Sequence, residues 1–287
     1  MIGRTAFADH LPIRAQHFLR NQPDHAIQLS TNCIDVPWEL LHDGQDVLCL
    51  SRPMARKLSF LKEPQAHYRP ASSAKRALIV GNPTGDLPGA AAEAQAVANL
   101  LQQHEVEVDL LIGPAQVSAN DFVKRLVTQW YDLVHYAGHG YFESADPRGS
   151  GLLFADGQVL AEELERVLKS AAFVFLSACE AAKSGTQKST MGFRGTFIEG
   201  LATAVLLGGA IGCLAPMWEI DDGIAQDFAV EFYRHLFEND PPLPLGEVVR
   251  QARLSVRDQS PDFWATWVLY GGPLMLLSQV PDNEKVG

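Results

Sequence analysis

Tyr131-Asp132-Leu133-Val134-His135-Tyr136-Ala137-Gly138-His139-Gly140 and Ala172-Phe173-Val174-Phe175-Leu176-Ser177-Ala178-Cys179-Glu180 are the two stretches on which the fold of this chain turns. Each is a nearly continuous run of apolar, β-branched and aromatic residues, the pattern of a strand buried on both faces of a parallel sheet. The first closes in Gly-His-Gly, which predicts a turn with His139 at the strand's carboxyl edge. The second loses its apolar character at Cys179. Glu162 to Leu168, between them, has helical spacing, and a right-handed crossover through it makes the two strands parallel and brings both ends to one edge. In open parallel sheets, ligands sit at that edge.

Working outward, further strands are expected at Val47 to Leu50, Ala77 to Gly81, Val106 to Leu111, Ala210 to Ala215 and Trp267 to Tyr270. Helical period marks Ala90 to Gln103, Phe122 to Gln129, Gly192 to Leu207, Gly223 to Phe237 and Leu245 to Val256. The alternation is that of an α/β fold with a largely parallel central sheet and helices on both faces. The uncharged run from Gly200 to Trp218 is split by Gly208-Gly209 and stopped by Pro216, so it reads as helix, tight turn and buried strand, not as a membrane span. Ala71 to Lys75 is small and polar, a seam between an N-terminal extension (1–72) packed on the core and a main domain (73–280), with 281–287 as a tail.

The 287 residues are 47% apolar and 20% charged, a globular balance, and the net charge of −11 with no basic run argues against nucleic acid as a ligand. Asp9, His10 and Pro12 interrupt what a signal peptide would need, so a cytoplasmic location is expected. The four cysteines are scattered without CxxC spacing, which argues against a disulfide framework, a zinc cluster or any other metal site. Gly81-Asn82-Pro83-Thr84-Gly85 lacks both Walker and GxGxxG spacing, and no Gly-x-Ser-x-Gly elbow occurs.

His139 and Cys179 are the residues that could carry chemistry. A thiol with a pKa near 8.5 is mostly protonated at neutral pH, and a neighbouring imidazole can take its proton. The backbone N–H groups of Gly140 and Cys179 are candidate oxyanion donors, since Gly140 lets a carbonyl approach closely. His135, in mid-strand, reads as a hydrogen-bonded core histidine, and Cys33, Cys49 and Cys213 read as structural.

At these residues the sequence resembles a known family. His-Tyr-Ala-Gly-His-Gly around His139 and Leu-Ser-Ala-Cys-Glu around Cys179 are similar to the catalytic dyad of the CHAT domain. This is a caspase-related cysteine peptidase module of the clan of caspases, metacaspases, gingipains and separase. Pro37-Trp38-Glu39-Leu40-Leu41, Gly81-Asn82-Pro83, Leu87-Pro88-Gly89-Ala90 with Glu93, Gly151-Leu152-Leu153-Phe154, the stretch from Gly195 to Trp218 and Trp264-Ala265-Thr266-Trp267 resemble its signatures in order. The resemblance implies a caspase-like sheet and hydrolysis of a peptide bond in a protein substrate without a cofactor. His139 would then be the acid or base and Cys179 the nucleophile. It also implies a bacterial signalling or defence setting and an activating or regulatory protein partner. Ser177 stands where metacaspases keep an acidic pocket residue. Asp222 matches the separase acid that holds a substrate Arg, although Asp221-Asp222-Gly223 would also cap a helix. Glu93 is a further substrate-binding candidate that could face the cleft, or ordinary dipole compensation in an early helical turn. Lys183, Gly185 and Lys188 mark a polar loop that could order on activation. A catalytically silent scaffold with the same fold is the other function class open to this sequence.

Overall fold

The computed structural model describes residues 2–31, 36–58, 76–141, 149–168, 171–180, 200–218, 221–259 and 263–277, with the backbone alone at Ile2, Ala171, Ala172, Cys179 and Glu180. The strands are β1 (Ile27–Ser30), β2 (Met54–Lys57), β3 (Arg76–Gly81), β4 (Glu107–Ile112), β5 (Tyr131–Tyr141), β6 (Gly151–Phe154), β7 (Gly157–Leu160), β8 (Ala171–Glu180), β9 (Gly212–Pro216) and β10 (Trp267–Gly271). The helices are α1 (Ile2–His10), α2 (Ile13–Asn21), α3 (Leu48–Ser51), α4 (Pro88–Gln103), α5 (Ala119–Thr128), α6 (Ala161–Val167), α7 (200–207), α8 (Asp222–Phe237) and α9 (Leu245–Val256).

The strands form one sheet in the order β1-β2-β10-β9-β8-β5-β3-β4, with the hairpin β6–β7 attached to the end of β5. From β4 through β9 the neighbours run parallel, and β10 runs antiparallel to β9. Alternation along each central strand sends its side chains into two separate cores. Leu133, Phe173, Phe175, Ala77 and Ile79 meet α4, α8 and α9 on one face. Val134, Tyr136, Val174, Leu176, Leu78 and Val80 meet α5, α6 and α7 on the other. The first core is strongly aromatic: Phe173 stacks on Phe232 at 5.5 Å between centroids, and Phe228 on Trp267 at 4.6 Å.

The chain leaves β3 in one direction through α4 to β4 and returns through α5 to β5 on the other side. The carboxyl end of β3 is therefore a topological switch point, the crevice where open α/β sheets take ligands. Close packing there needs glycine: a Cβ on Gly81 would stand 2.4 Å from the Ala94 Cβ and 2.9 Å from the Ala90 carbonyl oxygen.

The structure departs from the sequence-based expectation in four places. Val47 to Leu50, expected as a strand, is the single helical turn α3. A four-residue apolar run carries no period that separates the two conformations. Gly138-His139-Gly140 is not a turn, because β6 pairs with Gly140 and Tyr141 and carries β5 past His139. The hairpin β6–β7 replaces what was read only as a motif. The N-terminal stretch supplies β1 and β2, which extend the sheet beyond β10. Gly200 to Trp218 does fold as helix, glycine turn and buried strand. The seam 71–75, the residues 183–189 with Lys183, Gly185 and Lys188, and the tail 281–287 lie outside the described residues.

Candidate active site

β5 and β8 pair in parallel, and their register sets His139 directly across from Cys179 and Gly140 across from Glu180. Both positions lie beyond Gly81, which ends β3 opposite Ala137. The two positions therefore stand on a two-strand projection above the switch crevice. By alternation His139 shares its face with Leu133 and His135, and position 179 shares that same face with Phe173 and Phe175. The backbone that carries His139 is braced from the opposite face. The Tyr136 hydroxyl, 0% exposed, lies 2.8 Å from the His139 carbonyl oxygen and 2.6 Å from that of Leu153. Burial holds this hydroxyl well above the usual tyrosine range, so it keeps its proton. A Cβ on Gly138 would stand 2.9 Å from both the Tyr136 hydroxyl and the Pro83 ring, so only glycine fits between His139 and its brace.

The loop after β3 brings a residue that the sequence reading did not single out. Asp86 Oδ2 lies 3.1 Å from His139 Nε2, and Asp86 Oδ1 accepts the Thr84 hydroxyl at 2.5 Å. The loop is self-braced: Asn82, at φ 51°, accepts the Gly85 and Leu87 N–H groups on its side-chain oxygen at 3.0 and 2.8 Å. The Thr84 hydroxyl, and behind it the His139 contact, hold the Asp86 carboxyl below the usual aspartate range. Asp86 is thus an anion at neutral pH, and its contact with Nε2 leaves Nδ1 as the other ring nitrogen open to a partner. The imidazole is 20% exposed and the acid 65%. The sequence signal for it was weak, an Asp among turn residues six positions before Ala92.

Glu93 does not open to solvent. It is 2% exposed on α4, and its Oε2 accepts the Ser177 hydroxyl at 3.0 Å. Its Oε1 faces His135 Nε2 at 3.1 Å, without the alignment of a hydrogen bond. His135 is buried, as expected of a core histidine, with Nδ1 3.2 Å from the Tyr233 hydroxyl. The structure thus joins two substrate-pocket candidates, Glu93 and Ser177, beneath the dyad. The adjacent acids at the start of α8 divide their work: Asp221 is the N-cap, accepting from Gly223 N at 2.9 Å and Ile224 N at 3.4 Å. Asp222 is exposed and lies against the bare backbone of Gly89, where a Cβ would be 2.2 Å from its Oδ2. That places it at the start of α4, one helical turn before Glu93.

Cys49 and Cys213 are buried free thiols, the first pushed up to about 11 and the second raised further, in each case chiefly by burial. Neither suits a nucleophile. Cys33 lies outside the described residues. No group of His, Cys, Asp and Glu among the described residues could hold a metal ion. No helix among them is long and apolar enough to cross a membrane.

The sequence matches the CHAT domain across residues 12–272. The chain belongs to the CHAT domain family. Among solved structures, the Arg-specific cysteine proteinase gingipain R aligns at a TM-score of 0.65 and 15% identity, over 95% of this chain and 70% of that one. A complex of the pro- and mature domains of Porphyromonas gingivalis RgpB aligns at 0.62 and 15%, over 95% and 72%. The Saccharomyces cerevisiae separase–securin complex aligns at 0.55 and 20%, over 86% of this chain and 15% of the separase chain. These likenesses show the fold that this CHAT domain shares with them. No curated protein sequence matches the chain.

Proposed function

We propose that this CHAT domain is a cysteine endopeptidase with Cys179 as nucleophile and His139 as general acid and base. The observation that carries the reading is the register of His139 against Cys179 at the carboxyl edge, with the Asp86 carboxylate bonded to the far nitrogen of the imidazole. His139 takes the thiol proton, and the thiolate attacks the carbonyl carbon of the scissile peptide bond. We assign the oxyanion to the Gly140 and Cys179 N–H groups as donors. His139 then gives the proton to the leaving amine as the C–N bond breaks, leaving an acyl-thioester. Water, deprotonated by His139, hydrolyses the thioester and restores the thiol. Asp86 stabilises the imidazolium that forms in each half-reaction. Asp222, free of capping duty and exposed at the rim, favours a basic residue before the scissile bond. Control by a separate protein partner in a bacterial signalling or defence system follows from the family resemblance.

The test is digestion of a diverse peptide mixture, with cleavage sites read by mass spectrometry. The native chain cuts after basic residues, Cys179→Ala cuts nothing, and Asp222→Ala loses the basic preference while still cutting. Cleavage by Cys179→Ala identical to that of the native chain overturns the assignment. A native chain that cuts nothing, with a Cys179 thiol no more reactive than the buried ones, supports the scaffold reading instead.

A further inference from the structure

The buried carboxylate of Glu93 plays no part in the reaction as written, and its placement calls for a physical reason. A carboxylate held away from water is costly unless it is bonded, and a well-packed apolar residue at the same position is often no less stable. This one is nevertheless set one layer below the dyad. Ser177, which donates to it, lies two residues before Cys179 on β8, opposite Ala137. His135, which faces it, lies four residues before His139 on β5, opposite Phe175. Glu93 thus reaches from α4 across both strands of the projection. Behind His135, burial and the Glu93 charge hold the Tyr233 hydroxyl well above the usual tyrosine range, so Tyr233 keeps its proton and can donate to Nδ1. The loop that leads into α4 carries Asp86, the acid on His139.

We infer that α4 with its leading loop is a clamp on both halves of the dyad: Asp86 orients His139, and Glu93 is a positioning residue that fixes the end of the nucleophile strand through Ser177. The inference rests on Cys179 being the nucleophile. Its own content is that the Ser177–Glu93 hydrogen bond fixes the end of β8 in the register that sets position 179 across from His139.

The experiment measures the alkylation rate of each cysteine at pH 6.5 by peptide mass spectrometry in the native full chain, Ser177→Ala, Glu93→Ala, Glu93→Gln and the double variant Ser177→Ala/Glu93→Ala. Each alanine variant slows Cys179 roughly fivefold, the factor that one buried hydrogen bond is worth. The double variant is no slower than the slower single, because both remove the same bond. Glu93→Gln, which keeps an oxygen to accept from Ser177, stays within about twofold of native. Cys49 and Cys213 report on folding: they stay unreactive if the effect is one of position. Unchanged Cys179 reactivity in Ser177→Ala, effects that multiply to roughly 25-fold in the double variant, or loss that tracks the exposure of Cys49 and Cys213 each overturns the inference. If Cys179 in the native chain is no faster than the buried thiols, it is the nucleophile assignment that has failed.

Discussion

Asp86 is the residue on which the behaviour of His139 depends most directly. An imidazole with one nitrogen tied to a carboxylate has a fixed ring orientation. Asp86→Asn keeps a hydrogen-bonding group but removes the charge, and is expected to slow Cys179 alkylation at pH 6.5 by roughly tenfold while leaving the secondary structure seen by circular dichroism unchanged. The carboxyl is held below its ordinary range in the folded chain, so its contribution to stability is complete above the unfolded value of about 4 and is lost as the pH falls through the folded one. At 65% exposure that contribution is small. The opposite sign applies to Cys49. Burial raises its thiol from 9.0 to about 11, so the unfolded chain ionises first and stability falls as the pH rises between those values. Urea titrations of native and Cys49→Ala at pH 8 and 10.5 check this: the native chain loses about 2 kcal/mol more than the variant over that interval. Equal losses would mean that the thiol is not shielded.

At the scale of the element, the junction of β3 with α4 sets the crevice, and glycine makes it possible. Gly81→Ala forces a methyl group against Ala94 and the Ala90 carbonyl and is expected to cost about 1–3 kcal/mol in denaturant unfolding. The strands that carry the dyad were legible in the sequence because burial on both faces writes a continuous apolar run, and α4, α8 and α9 because their stripes have helical period. The register of β5 on β8 was legible only as a shared edge. Its pairing of residue 139 with 179 comes from contacts between segments forty residues apart. The turn expected at Gly138 to Gly140 was a local reading that a distant hairpin overrides, since β6 offers β5 two more residues of pairing. Asp86 was missed because an acid in a turn has an ordinary local explanation, and only the fold shows that it meets His139. Glu93 was legible as a candidate but not its partners, for Ser177 lies 84 positions away.

For the whole molecule, the N-terminal stretch completes the sheet. Beyond the antiparallel strand β10, β2 and β1 add two parallel strands and cover an edge that would otherwise offer unpaired backbone groups. A buried ion pair lies within the addition: Arg56 of β2 meets Glu39, both at most 2% exposed, and Arg56 also reaches across to the Met217 sulfur at 3.1 Å, just past the end of β9. Removing one partner of a buried pair leaves an uncompensated charge, so Glu39→Gln is expected to cost about 3 kcal/mol in denaturant unfolding. A loss below about 0.5 kcal/mol would mean that the pair adds nothing to the packing of the extension. Asp86, against His139, and Glu93, against Ser177 one layer below, come from α4 and its leading loop, and the extension reaches the sheet at the end of β9. The site is therefore held from both sides of the sheet's carboxyl edge.

The central claim is that His139 activates Cys179, and the most direct test is the pH dependence of alkylation at all four cysteines in the native chain and in His139→Ala. The account predicts that Cys179 reacts well below pH 8.5 in the native chain and loses that advantage in the variant, while Cys49 and Cys213 stay unreactive in both. A Cys179 profile that is the same with and without the imidazole would contradict it.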